Sequence, residues 1–184
     1  MPPPRFVDVD AGSSVPLAGR EAAFFVLSGR LAGPGGRDLI AGDAVAGPSA
    51  DLAGLVAAEP ARLLFEERER GGGNSVRIGS ADLVGTGVFG ITGVRVLHRS
   101  PGGALLRLGP PPGARWIVAG LRAFAVLAGR FFLYEVLDAS DPRSFSAGEG
   151  HVVPDPSRPV PLMAGNDSAV VVALAEPDVT VALG

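Results

Sequence analysis

The chain has 184 residues, 47% of them hydrophobic, and a formal net charge of -3 from 16 basic residues, all arginine, against 19 acidic ones; that is enough apolar material for one folded domain or two small ones and rules out a disordered chain. The absence of lysine removes Schiff-base chemistry and lysine-dependent phosphate loops, and the absence of cysteine removes disulfides, thiolate nucleophiles and thiolate-held metals. With an acidic balance and no basic patch, nucleic acid is not expected as a partner.

In chain order, the N-terminal MPPPRFVDVD lacks a cationic segment followed by an apolar run, so no signal peptide is expected. The first strong element is the strand in AAFFVLSGR (22–30), followed by the turn-and-strand GDAVAGP (42–48). ADLAGLVAA (50–58) has room for one or two helical turns although its neighbours read as strand and loop, and the strands in VAAEP (56–60) and RLLF follow it. EERERGGGNS (66–75) is a charged run ending in three glycines; it reads as a solvated boundary between an N-terminal unit, 1–70, and a C-terminal one, 71–184. GTGVFG (85–90) satisfies G-x-G-x-x-G, but the strand-like ITGVRV after it makes it a turn rather than a dinucleotide site. Strands are then expected in VRVL, ALLRL, RAFAVLAGR (122–130), FFLYEVL, GEGHVVP (148–154) and AVVVALA. The longest apolar stretch, 116–137, is broken by Arg122 and Arg130, so no membrane span and a cytoplasmic location are expected. Each run is short and bounded by Gly, Pro, Asp or Ser, which is the pattern of an all-β sandwich or barrel.

The same order of events occurs twice. AAFFVLSGR and RAFAVLAGR match at Ala23/Ala123, Phe24/Phe124, Val26/Val126, Leu27/Leu127, Gly29/Gly129 and Arg30/Arg130; each leads to a glycine followed by an acidic residue (GDAVAGP, GEGHVVP) and then to a strand ending in Glu-Pro (VAAEP, ALAEP). The chain reads as a tandem repeat of one β unit.

That order resembles the cupin superfamily, and two such units are similar to a bicupin, which implies two tandem cupin-like jelly-roll barrels. The family's first motif, G-x5-H-x-H-x(3,4)-E-x6-G, can be anchored on Gly129. Its opening glycine then falls on Gly109, its histidines on Arg115 and Ile117 or, with the shorter spacer, on Trp116 and Val118, and its glutamate on Arg122. In the first copy, Gly29 puts the glutamate at Ala22 and the histidines at Val15 and Leu17 or at Pro16 and Ala18. The second motif, G-x5-P-x-G-x2-H-x3-N, keeps Gly42 to Pro48 and Gly148 to Pro154, while its histidine position reads Ala53 and Pro159. With the ligand positions replaced and only two histidines in the chain, the expectation is no metal and no cofactor.

The second copy is richer in polar candidates. In the register the resemblance implies, Arg122 and, with the longer spacer, Arg115 point into the barrel, where a guanidinium needs an anionic ligand or an internal carboxylate such as Glu135 or Asp155. Trp116 and Tyr134, the only Trp and Tyr, flank the region as core residues or as walls packing on a substrate. His98, at a strand end beside a turn, reads as a surface or hydrogen-bonding residue. His151, on the strand leading to Pro154, is the candidate for proton transfer near neutrality, with Glu135 as the second acid–base group. The expected function is a metal-independent enzyme, of cyclase, isomerase or lyase type, acting on a small organic substrate; a non-catalytic binding or sensor module and a structural, oligomerising role, with a homodimer as its simplest assembly, are the alternatives.

Overall fold

The computed structural model describes residues 2–34, 36, 38–69, 74–79, 93–134 and 142–184. It divides into two compact units, Met1–Leu83 with Ser100–Gly102, and Val84–Arg99 with Gly103–Gly184. Glu135 and the stretch 85–90 lie outside the described residues.

The first unit is one antiparallel sheet. Its strands are β1 (Arg5–Val9), β2 (Glu21–Ala32), β3 (Leu39–Ile40), β4 (Ala44–Pro48), β5 (Val56–Arg68) and β6 (Val76–Ile78), in the order β1-β5-β2-β4-β6 with β3 paired to β2. The segment 50–58 contributes one turn of helix, α1 (Ser49–Leu52), before β5 begins. Along β2, Ala22, Phe24 and Val26 alternate onto the face that meets Val45, Leu63 and Phe65 in the core. Phe24 stacks on Phe65, their ring centroids 6.1 Å apart.

The second unit contains β7 (Val94–Ser100, its last residue counted with the first unit), β8 (Gly103–Leu108), β9 (Arg115–Ala128), β10 (Arg130–Leu133), β11 (Arg143–Ser146), β12 (Gly150–Val152), β13 (Val160–Ala164) and β14 (Val170–Leu183). Their order is β11-β10-β13-β9-β14-β8-β7, with β12 paired to β9. Phe124 sits at the centre of its core, edge-on to Phe131 at 5.7 Å and to Phe145 at 5.1 Å.

The repeat holds at the level of single hydrogen bonds. Opposite Phe24 stands Val45, and opposite Phe124 stands His151. The Gly42 N–H donates to the Val26 carbonyl at 2.8 Å, and the Gly148 N–H to that of Val126 at 2.9 Å. Both glycines have positive φ, +92° and +86°. The Asp43 carboxylate accepts the Ile40 N–H at 3.0 Å, and the Glu149 carboxylate accepts that of Ser146 at 2.6 Å. The invariant step is therefore a carboxylate-closed glycine turn, which explains why a glycine followed by an acidic residue occurs in both copies. Gly29 faces Pro60 as Gly129 faces Ser168. The Glu-Pro pairs are consequently not equivalent: Glu59-Pro60 lies early in β5, whereas Glu176-Pro177 lies midway along β14.

The charged run at 66–75 does not start as a solvated boundary. β5 continues through Arg68, and Glu66 and Arg68 are fully buried. Burial is tolerated because the charges answer one another: Arg68 Nε lies 2.8 Å from Glu66 Oε2, its Nη1 donates to Ser100 Oγ at 3.2 Å, and Glu21 lies 3.8 Å away. Glu67 accepts the Ala18 N–H at 2.8 Å. The first copy thus carries buried polar groups that its apolar strand pattern conceals.

Candidate functional site

The carboxylate-closed turn before β12 delivers His151 to the core-facing side of β9, where its ring packs at a tilt against Phe124 (6.2 Å) and Phe145 (5.9 Å) and remains half-buried. At the matching position of the first unit, Val45 is 3% exposed and packed into the core. One copy of the duplicated site is filled by an aliphatic side chain; the other carries an imidazole.

His151 borders a cleft of about 310 Å³. Its floor is apolar, with Leu133 and Val160 drawn from the core cluster and Val153 packed on it. Around the rim stand Tyr134, Arg143, Asp155 and Arg158. The Arg143 guanidinium lies 5.6 Å over the Phe145 ring, which ties it to the aromatic group holding His151. Asp155 Oδ1 accepts the Ser157 hydroxyl at 2.6 Å and the Ser157 N–H at 3.1 Å, and Oδ2 lies 3.3 Å from Arg158 Nε. The Ser157 side-chain bond, then its backbone bond, and then the Arg158 charge hold the Asp155 carboxyl below the usual carboxylate range. Two guanidiniums, one carboxylate and an imidazole above an apolar floor suit a small organic anion.

Of the residues singled out from the sequence, His151 and Tyr134 line this cleft together and Arg115, Trp116 and Arg122 do not. Alternation along β9 explains the first two. Trp116 and Val118 face the core, with Trp116 only 2% exposed, so Arg115 is turned outward and exposed. Arg122 is 6% exposed and reaches Glu176, its Nε 3.5 Å from Oε1. Gly120, at φ +85°, lies just ahead of it, where the β9–β14 register shifts. Arg143 and Arg158 did not stand out in the sequence. The only local hint is that each follows a Pro or Asp turn signal, in DPRSFS and PDPSRP.

The donor set does not fit the metal that cupin motifs hold. The glutamate position is the cation Arg122, the facing pair is Trp116 and Val118, and the last histidine position is Pro159, which lines the cleft without a donor. Among the described residues no three His, Asp or Glu side chains converge on a point that could hold an ion. Among them, too, no helix is long and apolar enough to cross a membrane.

No family model and no curated protein matches the chain. Solved structures do. The chain is similar to a cupin 2 conserved barrel domain protein from Leptotrichia buccalis, at 15% identity and a TM-score of 0.59, covering 95% of this chain and 79% of that one. It is similar to the putative glyoxylate induced protein from Pseudomonas aeruginosa, at 14% identity and a TM-score of 0.60, covering 97% and 73%. A third similar structure is a salicylate 1,2-dioxygenase from Pseudaminobacter salicylatoxidans, at 12% identity and a TM-score of 0.57, again covering 97% and 73%. At these identities the likeness is one of fold.

Proposed function

We propose, from the premise that this chain has the cupin fold, that it binds a small organic acid in the cleft of its second unit and that His151 moves a proton on the bound molecule without a metal. The observation that carries this reading is the exchange at one duplicated position, where Val45 seals the first unit and His151 opens onto a cleft in the second. An imidazole against two aromatic rings, half-buried beside an apolar floor, is placed to act on a C–H or O–H of a ligand whose charge is met by the arginine rim. An isomerisation by proton shift needs only such a relocation together with a fixed ligand orientation. A similar fold in a protein named for its action on salicylate, itself an organic acid, supports the ligand class.

The test pairs binding with exchange. A panel of small carboxylic acids carrying an acidic C–H is titrated calorimetrically, and exchange of that hydrogen with deuterated water is followed by NMR, for wild type and His151→Val. The wild type binds at least one acid and catalyses its exchange. His151→Val, which installs the residue of the first unit, keeps affinity within a few-fold and loses exchange by about 100-fold or more. Equal exchange in both proteins overturns the reading.

A further inference from the structure

The two copies differ at a second duplicated position. The arginine of the Gly-Arg step keeps its register in both: Arg30 stands opposite Ile40, and Arg130 opposite Ser146. Two residues before those partners the copies part, with Asp38 in the first and Ser144 in the second. Arg30 Nη1 donates to Asp38 Oδ2 at 3.0 Å, whereas among the described residues the Arg130 guanidinium has no hydrogen-bond or ion-pair partner.

Arg130 lines a cavity of about 650 Å³. Phe131 and Leu133 belong to the core, so alternation along β10 turns Arg130 and Phe132 to the outward face of the sheet, away from the floor of the His151 cleft. Phe132 pairs there with Met163 of β13, and both line the cavity. The Gly165 N–H donates to the Arg130 carbonyl at 2.9 Å and fixes its backbone. A Cβ on Gly165 would stand 3.4 Å from the Arg130 Cβ and 3.5 Å from the Phe132 ring, so the glycine leaves the floor between cation and ring bare. Asp167 borders the same space, and among the described residues its carboxylate has no partner either. Two opposite charges thus line one cavity without meeting.

We propose that this cavity binds a zwitterionic amino acid with an apolar side chain. The ligand's carboxylate takes on Arg130 the place that Asp38 holds on Arg30, its ammonium meets Asp167, and its side chain lies on Phe132 and the adaptable Met163. An anion alone would leave Asp167 a like charge beside it, and a cation alone would do the same with Arg130; a ligand carrying both charges answers both. The site is separate from the His151 cleft and stands without the reading given for it.

The experiment is calorimetric titration of L-leucine, L-methionine and L-phenylalanine, each also as its N-acetyl and amide derivative. The wild type binds at least one of the three, and blocking its amine or its carboxylate weakens binding about tenfold or more. Arg130→Gln, which removes the cation, and Ser144→Asp, which restores the internal partner of the first copy, weaken it to a similar extent. Asp167→Asn narrows the gap between the amino acid and its N-acetyl derivative. His151→Val leaves the binding unchanged. No binding of any of the three by wild type overturns the proposal, as does an N-acetyl derivative bound as tightly as its parent, or binding that survives both Arg130→Gln and Ser144→Asp. Binding lost in His151→Val but kept in Arg130→Gln assigns the amino acid to the other cleft and overturns it too.

Discussion

Replacing Gly129 with alanine tests the duplicated Gly-Arg step directly. Gly129 has φ +76°, and a Cβ there would stand 2.5 Å from the Ser168 carbonyl oxygen and 2.9 Å from the Ala169 Cα. Both atoms belong to backbone adjoining β14, which pairs with β9 from Val170 onward, so the conflict cannot be relieved by turning a side chain. Two costs add: about 1–2 kcal/mol for an L-residue in the left-handed region, and about 1–3 kcal/mol for forcing atoms into a packed space. Gly113 isolates the first cost, because its φ is +71° and nothing lies within 4 Å of the added atom. Gly29 has φ +78° and the same conflict with Pro60, so Gly29→Ala is expected to behave like Gly129→Ala. In urea denaturation with a slope of about 2 kcal/mol per molar, a loss of about 3 kcal/mol lowers the midpoint by about 1.5 M, and Gly113→Ala lowers it by no more than about 1 M. If Gly129→Ala costs no more than Gly113→Ala, the close approach of strand to strand is not what requires glycine in the repeat.

Arg68→Met withdraws a guanidinium 2.8 Å from a Glu66 carboxylate that has no exposure to water, and is expected to cost about 3–5 kcal/mol; adding Glu66→Leu recovers part of that loss, and an additive double variant in the same denaturation assay contradicts the charge pairing. Asp155 titrates below the ordinary carboxylate range, so the bonds it accepts from Ser157 are kept above that range and lost as pH falls through the lowered value. Ser157→Ala removes the leading cause, and an NMR titration of the Asp155 carboxyl should show its midpoint moving up toward the ordinary value; an unmoved midpoint refutes the assignment.

What the sequence determines by itself is local. Short apolar runs punctuated by Gly and Pro specify strands and turns, and the Gly-acid step recurs because one glycine conformation and one carboxylate bond close the same turn twice. The strand alternation that places Phe24 and Phe124 in their cores is legible for the same reason. Tertiary structure decided the rest. Whether Glu66 and Arg68 are wet or dry depends on the strands beside β5. The direction in which Arg115 points depends on the face β9 presents to its core, and the ion pair of Arg122 with Glu176 depends on β14 returning beside β9. Arg143, His151 and Arg158 line one cleft because β10 pairs with both β11 and β13, while β12 and β13 both pair with β9. Pairing between distant strands sets these neighbours, and no short window of sequence carries it, because a strand's own pattern specifies which residues share a face but not what that face will meet.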